Sequence, residues 1–309
     1  MDKQQIPAIR LENISKSFGS IRANINVNLS VYRGEILAIL GENGSGKTTT
    51  IRSILGFIKP TAGEAKVNGL NSWEHASEII KNIGYVPGEI AFPDLKTGVE
   101  FLNSQKEFLG IKDMSYANEL IKRLQLDPRA NLKRMSKGMK QKTALVAALM
   151  NDAPIIVLDE PTTGLDPLMR VTFLDIIKEE HKKGKTIFMS SHNFEELEGT
   201  CDKVALINDG RIIDVCDMKL INDPPEKEFK IEFNTEKDYK TFLKESYKVI
   251  RTQDIYNQAT VKINSGDTVK LLKTLNNYDV RFNSEIPYTL ERHFKEALKS
   301  KREDLKNVQ

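Results

Sequence analysis

Long apolar runs are scarce in this sequence. No stretch approaches the roughly 20 residues that a membrane-crossing helix needs. The best runs, Ile155–Leu158 and residues 144–150, have the length of core elements. Cysteine is also scarce: Cys201 and Cys216 are the two in 309 residues. They form neither a disulfide framework nor a metal-ligand spacing, which fits a reducing compartment, and neither is assigned a role. Excess charge is small, at a net +3, so no nucleic-acid partner is expected, although weak attraction to an anionic membrane surface stays open. The opening run Met1-Asp2-Lys3-Gln4-Gln5 has no apolar segment that would serve as a secretory signal, and a cytoplasmic chain is expected. What remains is an ordinary globular composition, 39% apolar and 29% charged. The length suits one large domain with a small one.

The first two thirds alternate strand-like and helix-like segments, which argues for an α/β domain with helices covering a sheet. Strands are expected at 8–13, 25–31, 35–40, 83–86, 155–158, 186–189 and 204–208. Residues 98–124 read instead as two successive amphipathic helices, an insertion packed beside the sheet. The run Asn222-Asp223-Pro224-Pro225-Glu226 ends this pattern. Two domains are therefore expected, 1–222 with a helical subdomain at about 96–150, and 223–309. The second reads as βαββαβ, the order of a ferredoxin-like α+β module, with a helix from Thr289 after it and a charged tail at 299–304 expected to be a frayed, solvated end.

Chemistry first declares itself at Gly41-Glu42-Asn43-Gly44-Ser45-Gly46-Lys47-Thr48, which comes after the apolar run 35–40 and precedes a helix beginning at Thr48-Thr49-Thr50. Strand, glycine-rich loop and helix in that order form a phosphate cradle. The glycines let successive amides turn inward, and the helix adds its positive end. Lys47 supplies a point charge for the β and γ phosphates, and Thr48 a hydroxyl ligand for Mg²⁺. Residues Gly41 through Thr49 are thus the expected nucleotide contacts.

Four further segments narrow the choice. Ile155-Ile156-Val157-Leu158-Asp159-Glu160 is an apolar strand ending in two acids, suited to holding the metal (Asp159) and orienting the attacking water (Glu160). Met135-Ser136-Lys137-Gly138-Met139-Lys140-Gln141-Lys142 precedes a helix expected at 143–150, Pro161-Thr162-Thr163-Gly164-Leu165-Asp166 comes after the acids, and Ser191-His192-Asn193 closes the next strand. With these segments in this order, the chain resembles the ABC transporter ATPases. The resemblance implies a P-loop NTPase core, RecA-like, with antiparallel β and helical subdomains. It implies ATP and Mg²⁺ as ligands, with hydrolysis coupled to transport, and a second ATPase subunit whose Ser136 and Gly138 cap the nucleotide. It makes Glu160, His192 and Lys47 the catalytic group, with His192 on the γ phosphate and Asp166 linking the two sites. Phe18, in Lys16-Ser17-Phe18-Gly19, matches the position that stacks on adenine; a core role is its alternative.

Two departures stand out. Gly88 in Ile83-Gly84-Tyr85-Val86-Pro87-Gly88-Glu89 occupies the family's glutamine position. Either Glu89 takes over the polar role toward the metal, or the metal is held with one fewer protein contact. In the signature, Lys137 and Met139 replace the usual glycine and glutamine, while Ser136 and Gly138 are retained.

The segment Pro287-Tyr288-Thr289-Leu290-Glu291-Arg292-His293-Phe294 resembles the closing helix of single-cassette ATPases paired with a separate permease of the ABC-2 export type. That resemblance implies an integral membrane permease docking near residues 88–101, and a peripheral location on the cytoplasmic membrane face. The rivals are a soluble ABC ATPase acting on ribosomes or DNA and a nucleotide sensor without turnover. For the C-terminal module, dimer contacts, regulation and support of the permease interface all stay open.

Overall fold

Short apolar runs flanked by polar turns become a buried parallel sheet in the computed structural model, which describes residues 6–306. The opening five residues lie outside the described part. Six strands build the sheet: β3 (Ile36–Leu40), β6 (Ile83–Val86), β7 (Ile155–Leu158), β8 (Thr186–Ser191), β9 (Lys203–Asn208) and β10 (Arg211–Asp217). Their order is β10-β9-β3-β8-β7-β6. The pairs from β9 through β6 are parallel, and β3, β7 and β8 are buried at every position, as strands covered on both faces are.

A second sheet, β2-β1-β4-β5, is antiparallel. It is made of β1 (Ile9–Phe18), β2 (Ile21–Val31), β4 (Ala62–Val67) and β5 (Leu70–Asn71). Ile9, Leu11, Ile14, Val27 and Val31 pack with Leu37, Ile39, Ile51 and Ile54 in one continuous core. This joins the antiparallel sheet to the parallel one and to helix α1 (Lys47–Ile54). Helix α2 (Ala76–Lys81) leads into β6.

The helical insertion contains α3 (Gly98–Leu109), α4 (Ser115–Arg123) and α5 (Lys137–Leu149). Thr97, Ser136 and Asn131 each cap the next helix or 3-10 turn with a side-chain oxygen, worth about 1 kcal/mol apiece. The insertion is tied to α6 (Pro167–Lys182) by two polar links. Arg123 donates to both Glu179 oxygens at 2.5 and 2.8 Å, and the Tyr116 hydroxyl donates to Glu180 at 2.6 Å. Helix α7 (Phe194–Leu197) comes after β8.

Contacts divide the chain into two units, meeting between Cys216 and Asp217. That is six residues earlier than the proline-based boundary at 222, because Asp217 caps α8 (Met218–Asn222), which falls in the second unit. The second unit contains β11 (Glu226–Phe233), α9 (Glu236–Phe242), β12 (Lys248–Gln253), β13 (Gln258–Asn264), α10 (Thr268–Leu275), β14 (Val280–Ile286) and α11 (Leu290–Lys306). Its sheet order is β12-β13-β11-β14, antiparallel throughout. This is the interleaved arrangement to which a βαββαβ order leads. Its core is Phe229, Ile231, Phe233, Tyr239, Phe242, Ala259, Val261 and Leu271. The charged segment 299–304, expected to fray, continues α11 as helix.

Candidate nucleotide site

In a parallel sheet the chain leaves each strand on the same side, so the segments after β3, β8, β7 and β6 gather along one edge. Register makes this concrete: Leu40 pairs with Ser191, and Leu158 with Met189 and Val86. The phosphate loop, the His192 loop, the acid pair and the Gly88 segment therefore stand side by side, in that order.

The loop is built for close approach. Gly46 has φ 109°, and a Cβ there would lie 2.4 Å from the Ala23 carbonyl oxygen, so only glycine fits. Asn24, from β2, donates to the Gly46 carbonyl at 3.3 Å and to Thr50 Oγ1 at 3.0 Å, bracing the start of α1. Unlike α3, α5 and α6, helix α1 has no side-chain cap. Its first amides, which no helical carbonyl can reach, remain available to an anion.

Lys47 is almost fully buried. Its ammonium donates to the Gly41 carbonyl at 2.7 Å and the Glu42 carbonyl at 3.0 Å, and lies 3.1 Å from Glu160 Oε1. The other Glu160 oxygen lies 2.7 Å from His192 Nδ1. Glu160 itself has φ 49°, a left-handed conformation costly for a residue with a side chain. It is held there by its N–H donating to Ser190 Oγ at 2.9 Å. Lys47, Glu160 and His192, expected to act together, are one connected chain of polar contacts.

Asp159 is fully buried. Its Oδ1 accepts from Ser190 Oγ at 2.6 Å, while Oδ2 has no hydrogen-bond partner among the described residues. A buried carboxylate oxygen left unpaired is costly unless a cation or donor serves it. With the partly buried Thr48 hydroxyl of α1 as the other expected ligand, the donors are hard oxygens, the type Mg²⁺ takes. Burial first, and the charge of Asp159 second, push the Tyr85 phenol up to about 12, so it stays protonated at neutral pH.

Gly88 stands directly against this carboxylate: a Cβ there would be 3.0 Å from Asp159 Oδ2. Glu89 is exposed, and among the described residues no hydrogen bond or ion pair ties it to Asp159, Glu160 or Thr48. Phe18 is half-exposed at the end of β1 with the Lys16 ammonium 5.1 Å from its ring centre, which removes the core alternative.

Ser136 and Gly138 lie elsewhere, at the start of α5. Ser136 Oγ accepts from the Met139 amide at 3.2 Å. The amides of Lys137 and Gly138 have no acceptor among the described residues. A Cβ at Gly138 would fall 2.6 Å from the Gly164 carbonyl oxygen, so the signature and the Asp166 loop are packed backbone to backbone. Asp166 is exposed and caps α6, accepting from the Met169 amide at 2.9 Å.

Two further polar residues, Gln141 at the end of the signature segment and Glu196 beyond the motifs, hold these pieces together. Gln141 is buried and donates to the Pro161 carbonyl at 2.8 Å, tying the signature helix to the segment after the acids. Glu196 is buried and accepts from Thr162 Oγ1 at 2.8 Å. Nothing in the short run Phe194-Glu195-Glu196-Leu197 marks which of its two glutamates is buried.

Comparison with known proteins agrees with this geometry. A sequence model of the family described as ABC transporter matches residues 25–163. The chain is 34% identical over 212 residues to the bacitracin transport ATP-binding protein BcrA of Bacillus licheniformis, covering 67% of this chain and 68% of that protein. It is 36% identical over 199 residues to the ABC transporter ATP-binding protein NatA of Bacillus subtilis, covering 62% and 81%. Among solved structures, the ATP-binding subunit of an ABC transporter superposes with a TM-score of 0.64 at 28% identity, over 70% of this chain and 92% of that one. A dimeric ATP-binding cassette in a post-hydrolysis state with ADP and phosphate bound gives 0.61 at 26% identity, over 68% and 98%. By these matches the chain belongs to the ABC transporter ATP-binding proteins, as an ATP-hydrolysing cassette.

Proposed function

We propose that this cassette binds MgATP between two subunits and uses closure and hydrolysis to drive a separate integral membrane permease, in the export direction. The observation that carries the reading is that the chain holds both halves of a phosphate site without joining them. Among the described residues no hydrogen bond or ion pair links Ser136 or Gly138 to residues 41–48. The free amides at the start of α5 are suited to capping the γ phosphate held by the loop of a second subunit. Asp166, exposed beside Gly164, then crosses to the other site. The solved cassette with ADP and phosphate is itself a dimer, which supports this arrangement.

Within the site, the loop amides and Lys47 hold the phosphates, and Phe18 stacks on the adenine. Glu160 orients the attacking water and takes its proton. His192 keeps the Glu160 carboxylate in place and contacts the γ phosphate. Thr48 and Asp159 would hold Mg²⁺, which supplies charge neutralisation on the phosphates. With Gly88 against Asp159 and Glu89 exposed, the metal would be held with one fewer protein contact and Glu89 would take no part.

A groove of about 220 Å³, lined by Tyr85, Pro87, Phe92, Phe101, Phe108 and Ala144 among others, lies beside the Gly88 segment. Phe108 is largely exposed. Its size and aromatic lining suit an amphipathic helix end from a permease, which would place the chain on the cytoplasmic membrane face. The export direction rests on the resemblance of residues 287–294 to the closing helix of export-type cassettes, and nothing in the comparisons favours the ribosome or DNA alternative. Isolation of the native complex tests the proposal: a polytopic membrane protein is expected to accompany the chain and stimulate its ATPase activity. Recovery with ribosomes or DNA, and no membrane partner, would contradict it.

A further inference from the structure

Resting on the two-subunit reading above, we infer that Glu196 is a positioning residue that couples the His192 loop to the Asp166 loop, so that the γ-phosphate state of one site reaches the residue facing the other.

Glu196 is a carboxylate only 9% exposed, and burying a charge is unfavourable unless partners compensate. Its partners come from three separate segments. Thr162 Oγ1 donates to Oε2 at 2.8 Å. Ser191 Oγ lies 3.4 Å from the same oxygen. The Arg170 guanidinium lies 3.7 Å from Oε1.

Each partner is attached to something that matters. Ser191 immediately precedes His192, and its hydroxyl accepts from the Asn193 amide at 3.0 Å, so it fixes the backbone on both sides of the histidine. Thr162 sits between Glu160 and Asp166, and its carbonyl accepts from the Leu165 amide at 3.1 Å. Arg170 donates through Nε to the Leu165 carbonyl at 3.1 Å and through its backbone to Asp166 at 3.0 Å. Thr162 and Arg170 therefore bracket Asp166 from both sides. Any displacement of residues 191–193 alters the Ser191–Glu196 contact, and Glu196 transmits it to that bracket.

The carboxylate is needed for both halves of the junction, since it accepts from hydroxyls and faces a cation. Glu196→Gln keeps size and one acceptor oxygen for the two hydroxyls, but replaces the charged oxygen facing Arg170 with a neutral amide. Thr162→Val removes the hydroxyl at nearly constant volume, and Thr162→Ser retains it. The measurements, on the full chain, are the ATP dependence of hydrolysis, MgATP affinity by direct binding, and the melting temperature.

Glu196→Gln and Thr162→Val are expected to lower kcat about tenfold with MgATP affinity within about twofold. The Hill coefficient should fall toward unity as the sites uncouple, and Thr162→Ser should recover turnover. Wild-type kcat and cooperativity in both variants would overturn the inference. So would parallel loss of affinity, turnover and melting temperature in all three variants, which is the mark of a merely structural role. Failure of the two-subunit reading appears instead in the wild-type protein, as hydrolysis with no cooperativity and no ATP-induced pairing, and the inference falls with it.

Discussion

His192 and Glu160 are locked together: the ring Nδ1 lies 2.7 Å from one carboxylate oxygen while the other faces Lys47 at 3.1 Å. The contact aims a carboxylate that already stands in a left-handed backbone conformation. Such local strain, of order 1–3 kcal/mol, persists only where surrounding contacts fix it.

Glu160→Gln preserves the shape of this contact and removes the proposed base. Turnover is expected to fall by about 10² to 10⁴-fold, with MgATP affinity nearly unchanged because the loop and Lys47 are intact. Steady-state phosphate release together with nucleotide binding checks both halves.

Gly138→Ala forces a methyl to within 2.6 Å of the Gly164 carbonyl. Either the start of α5 or the Asp166 loop must shift, at a cost of about 1–3 kcal/mol. The expected outcome is at least a roughly tenfold loss of turnover with nucleotide binding to the single subunit retained, since residues 41–48 are not involved.

Metal dependence separates the two readings of the Gly88 segment. Asp159→Asn weakens the buried acceptor and should raise the Mg²⁺ concentration needed for half-maximal hydrolysis by about tenfold or more. Glu89→Ala should leave that concentration at the wild-type value. A Mg²⁺ titration of hydrolysis reads both, and a rise in Glu89→Ala would restore Glu89 as a metal contact.

Phe18→Ala should raise KM for ATP roughly fivefold, in line with about 1 kcal/mol of aromatic stacking, and leave kcat little changed. Phe18→Tyr should bind ATP as the wild type does.

The second unit carries its own pH response. Arg292 donates to both Glu228 oxygens at 2.6 and 2.9 Å, and these bonds hold the Glu228 carboxyl below its usual range against the opposing effect of burial. A carboxyl depressed in the folded state stabilises it above the unfolded-state value, and the contribution disappears as pH falls through the folded value. The melting transition of this unit should lose about 1 kcal/mol of support as pH drops from about 5 toward 3. In Glu228→Gln that acid-dependent loss should be absent.

Legibility in the sequence tracks physical strength. Strands β3 and β7 are continuous apolar runs ending in motif residues, so Gly41–Thr48, Asp159 and Glu160 are readable from pattern, whereas His192, after β8, is reached only through the resemblance to the ABC transporter ATPases. The second unit's strands and helices are readable within a few residues, because each alternates or repeats cleanly. Strand β4, Ala-Gly-Glu-Ala-Lys-Val, is not, since glycine and charge disguise it. It exists because it pairs with β1, where Glu12 faces Glu64 across the ladder and Lys66 neutralises both, at 3.1 and 2.6 Å. β10 escapes pattern reading in the same way, being partly exposed. Gln141 and Glu196 are invisible for a different reason: their value lies in partners distant in sequence, Pro161 for one and Thr162 for the other. Helix α5 starts at Lys137, six residues before the expected 143, because Ser136 caps it in addition to its expected part as a ligand contact.

The most direct test of the central claim, a site completed by a second subunit, is the mass of the full-length Glu160→Gln chain in solution with and without MgATP. Light scattering is expected to find a monomer without nucleotide and a dimer with it, and Ser136→Arg in the same background should abolish the dimer while MgATP still binds. A Glu160→Gln chain that binds MgATP tightly and stays monomeric would contradict the account.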